Sequence, residues 1–250
     1  MLEPKIINNS KLIMAPKLIS EDESFFVVDK PSGWITDASN TTTTQPVIQK
    51  WVSGNFEYPL KTNWECRNGI VHRLDKETSG ILLIAKTEDA FKELQRQFKE
   101  RLVHKTYIAL VHGQVTEKEG IINEPVGRLP WRRDRFGVLP GGREAVTRYK
   151  VIGYKVNSNA DKFTLLELKP KTGRTHQIRI HLKHIGFPIV ADEFYAGRKT
   201  ARHDRKWCVR LFLHAGGINF IHPTTKKDIS FESKLPEDLD TALAKLTLIS

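Results

Sequence analysis

Apolar residues recur along the chain with two periods, which predict strands and helices in alternation. Short apolar runs at 25–28 and 81–85 have the length and density of buried strands. Apolar and polar residues alternate at 106–111, 145–152 and 163–168, which predicts three further strands with one buried face.

Helical spacing is clearest in the segment that follows Thr87. Thr87 is a typical N-cap residue, and Glu88 and Asp89 place negative charge in the first turn. The apolar residues that define one face of this helix are Phe91, Leu94, Phe98 and Leu102. We expect a shorter helix from Thr175 and a last one from Pro236.

Glycine and proline predict the irregular segments. Gly216-Gly217 separates two apolar runs, at 211–215 and 218–221, and therefore predicts a two-residue hairpin turn. Residues 127–144 are rich in Gly, Pro and Arg, which predicts a long loop.

The order of these elements predicts an α+β fold, because many alternating strands accompany few helices. Residues 1–24 show no clear periodicity and are interpreted as an N-terminal arm, with 25–250 as a single domain. The polar tract at 41–44 is interpreted as an exposed loop.

Composition narrows the class of protein. The chain has 250 residues with 40 Lys and Arg against 29 Asp and Glu, a net charge of +11. That charge favours a polyanionic partner such as nucleic acid. No apolar run approaches the roughly 20 residues of a membrane helix, and the polar start of the chain lacks a signal core. Cys66 and Cys208 are far apart and outside any CxxC pair, so we expect a cytoplasmic protein without disulfides.

The positive charge is clustered. Six arginines lie between positions 128 and 148, and six basic residues between 198 and 210. Trp131 and Phe136 could stack on bases within the first cluster, although a lone tryptophan is as often a core residue. Such a distribution is typical of a protein that contacts a phosphate backbone.

Motifs for cofactors and metals are missing from the sequence. There is no GxxxxGK[ST], GxGxxG or HExxH motif, and no serine or cysteine lies in a nucleophile context. His176, His181 and His184 have spacing similar to metal ligands, but Arg174 and Arg179 in the same segment would repel a cation. We therefore expect hydrogen-bonding or packing roles for these histidines.

Asp75 is the one candidate for chemistry, and its position alone leaves two interpretations. It directly precedes the predicted strand at 81–85, where a carboxylate would lie at the rim of a sheet. The second interpretation is a turn aspartate whose side chain caps the Thr78 or Ser79 amide. The spacing alone favours this second interpretation.

Five motifs resemble those of the RluA-type RNA pseudouridine synthases, in the order of that family. The stretch VHRLDKETSGILLIA at 71–85 matches the family signature without a gap. The other motifs are VDKPSG at 28–33, KTYIAL at 105–110, KTGRTHQIRIH at 171–181, and FLHA at 212–215 followed by HP at 222–223. The resemblance covers residues 25 to 240, nearly the whole chain.

This resemblance implies a mixed, mainly antiparallel, bent sheet with flanking helices and a central RNA-binding cleft, in a catalytic domain over 25–250. It implies that Asp75 is the nucleophile that attacks a flipped-out uridine. Tyr107 would pack against the base and help to remove the carbon-5 proton. Arg179 would pair with Asp75 and hold it ionised, and Arg73 would enter the RNA stack. No cofactor and no metal ion would take part.

The expected partner is RNA, contacted by basic and histidine side chains. The residues expected to bind it are His72, Arg73, Arg128, Arg132, Arg133, Arg135, Arg174 and His176. The arginine-rich stretch at 127–144 is most similar to the large-subunit ribosomal branch of the family. Only 24 residues precede Phe25, too few for the extra RNA-binding domain of many ribosomal members, so tRNA remains open as the target.

Two further functions compete with this interpretation. A non-catalytic RNA-binding protein or RNA chaperone on the same scaffold would not need Asp75, Tyr107 and Arg179 together. A metal-dependent nuclease would need a carboxylate cluster, which the sequence lacks. We expect a monomer without membrane attachment.

Overall fold

The computed structural model describes residues 14–38, 45–130 and 132–249, and only the backbone of Arg133. The start of the expected arm, the loop at 41–44 and Trp131 lie outside these described residues. The chain divides into two compact units. The first comprises Met1–Val103 and Gly217–Ser233, and the second His104–Gly216 and Lys234–Ser250.

The first unit is built on an antiparallel run of three strands. These are β1 (Lys17–Glu21), β2 (Phe25–Lys30) and β3 (Ser79–Ala85). Strand β2 pairs with β3 from Phe25 opposite Ala85 to Lys30 opposite Gly80. Every residue of β3 is buried, as its continuous apolar run predicts. Strand β1 lies within the segment interpreted as an arm.

Two helices belong to the first unit, α1 (Ile48–Asn55) and α2 (Glu88–Lys99). The predicted cap of α2 is confirmed, because the Thr87 hydroxyl accepts a hydrogen bond from the Ala90 amide at 3.3 Å. Phe91 and Leu94 are buried on the face that the helical spacing indicated.

Antiparallel pairing also dominates the second unit. Its main strands follow the order β4 (His104–His112), β9 (Lys162–Pro170), β8 (Val146–Val156) and β12 (Thr247–Ile249), and β5 (Glu119–Asn123) also pairs with β8. The strands predicted at 106–111 and 163–168 lie within β4 and β9, and the strand predicted at 145–152 lies within β8 except for Ala145. With five α-helices in the described parts of the chain, the α+β class is confirmed.

The long loop predicted at 127–144 is wrong over most of its length. Residues there form a separate two-stranded hairpin of β6 (Val126–Leu129) and β7 (Arg132–Val138). Phe136 and Val138 pack on a small core with Ala145 and Ile180, which stabilises strands that the Gly, Pro and Arg content had hidden.

The hairpin predicted at Gly216-Gly217 is also wrong. Strand β10 (Leu213–Ile221) runs straight through both glycines, and the unit boundary falls between them. Neither glycine has the positive φ that a two-residue hairpin turn requires. The chain reverses after Ile221 instead, and β11 (Asp228–Glu232) pairs back onto residues 217–221.

The remaining helices belong to the second unit. They are α3 (Gln177–His184), α4 (Arg198–Asp204) and α5 (Glu237–Ala244). Helix α5 follows Pro236 as predicted. Helix α3 begins two residues later than expected, because His176 has a left-handed backbone with φ of 56°. Both cysteines are free thiols, and no helix in the described ranges is long and apolar enough to cross a membrane.

Candidate active site

Asp75 lies in the first unit, in a short loop that leads into β3. The Thr78 amide donates to the Asp75 carbonyl at 3.1 Å, which closes a turn before the strand begins. Asp75 itself is half-buried. A turn at Asp75, as the turn-aspartate interpretation predicted, is therefore present, and the backbone carbonyl of Asp75 accepts a hydrogen bond within it.

Lys30 fixes the residue that follows Asp75. Its side chain is fully buried, and its ammonium donates to the carbonyls of Pro31, Trp34 and Lys76 at 3.1, 2.9 and 3.2 Å. A buried ammonium is costly unless such acceptors surround it. The lysine of the VDKPSG motif thus ties that motif to the Asp75 loop.

Thr36 fixes the peptide that precedes Asp75. Its hydroxyl donates to the Leu74 carbonyl at 2.9 Å and accepts from the Leu74 amide at 3.1 Å. The Gly33 amide adds a 2.8 Å bond to the Lys76 carbonyl. The backbone is therefore held on both sides of Asp75.

His72 and Arg73 precede this loop and have different surroundings. The His72 ring stacks on Phe98 with centroids 4.9 Å apart, and its Nε2 accepts the Leu83 amide at 2.9 Å. Arg73 is exposed, with Nη1 at 3.8 Å from Oδ1 of Asp37. RNA contacts by both residues stay predictions.

Arg179 lies in the second unit, on α3, in a buried ion pair that the sequence did not indicate. Its Nε and Nη2 each lie 2.8 Å from an oxygen of Asp192. Asp192 also accepts the amides of Phe194 and Tyr195 at 3.0 and 3.1 Å. The Arg179 guanidinium carbon lies 5.1 Å from the Tyr195 ring centroid. Residues 192–195 therefore supply both the carboxylate that pairs with Arg179 and an aromatic ring that packs against it.

Aromatic rings join α3 to the β6–β7 hairpin. His176 Nδ1 lies 3.0 Å from the Tyr195 hydroxyl, and its ring contacts Phe136 edge-on. Arg135 donates to the Phe194 carbonyl at 2.9 Å. The Arg128 guanidinium lies 5.1 Å from the centroid of the Phe136 ring. The structure therefore brings together four of the predicted site residues, Arg128, Arg135, His176 and Arg179.

Gln177 organises the loop of the KTGRTHQIRIH motif. This buried side chain accepts from the Thr172 hydroxyl at 2.7 Å and from the Arg174 amide at 3.0 Å. Its amide group donates to the Val146 carbonyl at 3.1 Å. The Arg174 side chain is held separately, because its Nε donates to the Glu144 carbonyl at 3.1 Å.

Tyr107 is buried on β4, opposite Leu168 of β9. Lys105 precedes it by two residues and therefore shares its face of the strand. Burial lowers the pKa of Lys105 to about 8. The sequence analysis did not select this lysine as a candidate site residue.

His181 of α3 has two hydrogen-bonding partners. His181 Nε2 donates to the Glu124 carbonyl at 3.0 Å, and its Nδ1 lies 2.9 Å from the Thr147 hydroxyl. Burial lowers the pKa of His181, which favours the neutral ring. Among the described residues, no group of three or more His, Cys, Asp or Glu could hold a metal ion.

The predicted site residues thus fall into two groups. His72, Arg73 and Asp75 belong to the first unit, and Tyr107, Arg128, Arg135, Arg174, His176 and Arg179 to the second. Arg132 is exposed beside Asp134, and the Arg133 side chain lies outside the described set. Sequence reasoning missed Lys30, Thr36, Gln177 and Asp192, whose roles depend on partners distant in sequence.

Comparison with known proteins assigns these features to a class. The family model described as RNA pseudouridylate synthase matches residues 24–184, which include the Asp75 loop, β4 and α3. The class is that of isomerases that act on RNA. The chain belongs to the RNA pseudouridylate synthase family, and the resemblance seen in its motifs is confirmed.

Relatives agree over most of the chain. An uncharacterised RNA pseudouridine synthase of Bacillus subtilis is 35% identical over 244 residues, 98% of this chain and 77% of its own length. A ribosomal large subunit pseudouridine synthase D of Nitrosomonas europaea is 36% identical over 91% of this chain and 64% of its own length. Human RNA pseudouridylate synthase domain containing 1 has a TM-score of 0.73 at 26% identity, over 100% of this chain and 92% of that one.

The chain is shorter than these curated relatives. It spans 57% of the length of an RNA pseudouridine synthase of Chloroflexus aurantiacus, to which it is 42% identical over 190 residues.

Proposed function

We propose that this protein isomerises specific uridines of large-subunit ribosomal RNA to pseudouridine, with Asp75 as the nucleophile. The observation that carries the proposal is the fixed backbone on both sides of Asp75. Thr36 holds residue 74, and Lys30 and Gly33 hold residue 76. A nucleophile gains from such placement, because a small error in position costs a large factor in rate.

The proposed reaction needs no redox step. The Asp75 carboxylate attacks the uridine at the anomeric carbon or at carbon-6 of the base, and the bond between ribose and base nitrogen breaks. The base turns and rejoins the ribose through carbon-5. The bond between the Asp75 carboxylate and the substrate breaks, which regenerates the free carboxylate. Carbon-5 loses its proton, with help from Tyr107, and the base nitrogen that left the ribose takes up a proton. Substrate and product have the same atoms, so side chains can supply every role.

Arg179 is proposed to stabilise the ionised Asp75 carboxylate. A guanidinium carries five N–H donors in a rigid plane, and Asp192 uses those on one edge, at Nε and Nη2. The two bonds to Asp192 fix the orientation of the cation that is proposed to stabilise the Asp75 carboxylate. The buried pair therefore supports the role that the family resemblance implies.

RNA binding is proposed to use the basic side chains of both units. Arg73 is exposed and would fill the place that the flipped uridine leaves, which offsets part of the cost of unstacking. Arg128 and Arg135 present guanidinium groups beside aromatic rings, an arrangement that suits phosphates and bases together. The remaining proposed contacts are His72, Arg132, Arg133, Arg174 and His176.

Large-subunit rRNA is proposed as the target because relatives named ribosomal large subunit pseudouridine synthase D match 89% to 99% of the chain.

We further propose that the protein acts in the cytoplasm as a monomer. Burial raises the pKa of the Cys208 thiol to about 12, so this cysteine is poorly suited to disulfide exchange.

Pseudouridine mapping in cells with and without the gene tests the proposal. Specific pseudouridines should disappear from large-subunit rRNA without the gene, and return with the wild-type copy but not with Asp75→Asn. Loss from tRNA alone would show that the target is wrong. An unchanged map would show that the protein does not act as proposed.

A further inference from the structure

The turn that carries Asp192 contains a strained residue. The Asp192 amide donates to the Ile189 carbonyl at 3.3 Å, so residues 189–192 form a tight turn. Ala191 stands at its third position with φ of 61°. This left-handed conformation suits glycine, and any other residue keeps it only when the surroundings hold it there.

Asp204 provides that support from α4. Its Oδ2 accepts the Ala191 amide at 2.8 Å, and Nε2 of His112 lies 2.9 Å from the same oxygen. The Asp204 side chain is 2% exposed. A buried carboxylate at the C-terminal end of a helix is unfavourable by itself, because it meets the negative end of the helix dipole. Its hydrogen bonds to Ala191 and His112 compensate for that position.

Hydrogen bonds anchor the turn on both sides. The Val190 amide donates to the Leu110 carbonyl of β4 at 2.9 Å, and the next amide, that of Ala191, donates to Asp204. The residue after Ala191 is Asp192, which holds the Arg179 guanidinium. A continuous set of contacts therefore runs from His112 and Asp204 through the strained turn to Arg179.

We propose that Asp204, oriented by His112, is a positioning residue for the reaction, because it fixes the turn from which Asp192 orients Arg179. The inference rests on the proposed function in one respect, the action of Arg179 on Asp75. Asp204 touches no reacting atom in this account, so its loss changes the rate of the chemical step more than the binding of RNA.

Kinetics of three variants test the proposal with an rRNA fragment that carries tritium at carbon-5 of uridine. Asp204→Ala should lower kcat by about 10- to 100-fold, with KM within about threefold, because the guanidinium is misplaced. Asp204→Asn keeps an oxygen acceptor and should stay within about threefold of the wild type. Asp161→Asn is the matched control, because Asp161 lines the same cavity of about 680 Å³ as Asp204 but bonds Asn157.

Relief of the strain provides an independent arm. Glycine adopts a positive φ without cost, so Ala191→Gly should restore most of the rate that Asp204→Ala loses. If Asp204→Ala does not fold, Asp204→Ser, whose hydroxyl is too short to reach the Ala191 amide, takes its place. Wild-type kcat in a folded Asp204→Ala or Asp204→Ser protein would overturn the proposal. Equal losses in the Ala and Asn variants would overturn it as well.

A spectroscopic readout separates this proposal from the proposed function. The Nε–H signal of Arg179, assigned by its loss in Arg179→Lys, should exchange slowly with water in protein labelled with ¹⁵N-arginine. Exchange should be at least about tenfold faster in Asp204→Ala and unchanged in Asp204→Asn, because hydrogen-bonded buried groups exchange only on opening. If the wild type shows no turnover, the proposed function fails, and this signal still decides whether Asp204 positions Arg179.

Discussion

Arg179 and Asp192 form a bidentate ion pair in which both donor–acceptor distances are 2.8 Å and both side chains are almost fully buried. The pair joins α3 to the turn at residues 189–192. The first residue of that turn, Ile189, forms an antiparallel β-bridge with Val111 of β4. A guanidinium in this setting has one orientation, because a bidentate carboxylate fixes its plane as well as its position.

Removal of one partner should therefore destabilise the fold strongly. Asp192→Asn removes the negative charge that makes two hydrogen bonds to the buried guanidinium, and the free energy of unfolding should fall by about 3–5 kcal/mol. Urea unfolding followed by tryptophan fluorescence measures this change. Glu100→Gln is the control, because Glu100 pairs with Arg96 and both side chains are about half exposed, at 48% and 47%. It should cost about 1 kcal/mol or less. Similar losses in both variants would show that burial of the Arg179 pair is not decisive.

The β6–β7 hairpin should contribute to the salt dependence of RNA binding. If five to eight phosphates are neutralised, log affinity should fall against log salt with a slope of roughly −4 to −6. Combined replacement of Arg132, Arg133 and Arg135 by Gln should flatten this slope by up to about 2 to 3 units, measured by filter binding or fluorescence anisotropy.

A matched control removes three positive charges from α2, at Lys92, Arg96 and Lys99. Arg96 pairs with Glu93 and Glu100 on the same helix, and Lys92 with Glu88, which is typical of a solvated face. The slope should change by less than about 1 unit. If the two triple variants behave alike, the hairpin has no specific role in RNA binding.

Lys105 should make stability depend on pH in alkaline solution. Its pKa is about 8 in the folded protein, below the ordinary value for lysine. Between pH 8 and 10 the unfolded chain then binds more protons than the folded one, so stability rises with pH. The contribution of this residue should be at most about 3 kcal/mol and should vanish in Lys105→Met. Lys150→Met, at an exposed position of β8, is the control and should keep the wild-type dependence of stability on pH. If the difference in stability between Lys105→Met and the wild type does not change between pH 8 and 10, the burial of Lys105 is contradicted.

Local rules predicted the elements whose signals are local. The N-cap at Thr87 and the buried run of β3 depend on neighbouring residues and were confirmed. The hairpin over Val126–Val138 was missed because its strands are stabilised by Ile180 and Tyr195, more than 40 residues away. Gly216-Gly217 indicated a turn, but both residues lie within β10, and Gly217 pairs with Glu232 of β11.

The residues of the candidate active site also divide into those with a signal in the sequence and those that depend on distant partners. Asp75, Tyr107 and Arg179 were singled out by family motifs, and no periodicity would have selected them. Lys30 contacts the Lys76 carbonyl across 46 positions, and Asp192 meets Arg179 across 13. A lysine before a turn or an acid after an apolar run has no distinctive sequence signal, because its partner is set by the fold.

The most direct test of the central claim is tritium release from carbon-5-labelled uridine RNA by Asp75→Asn under single-turnover conditions. The variant should bind the RNA with a Kd within about twofold of the wild type, and release should fall by at least about 10⁴-fold, because the attacking carboxylate is gone. Glu77→Gln, two positions along the same loop, should release tritium at close to the wild-type rate. Release by Asp75→Asn at a rate near that of the wild type would contradict the assignment of Asp75 as the nucleophile.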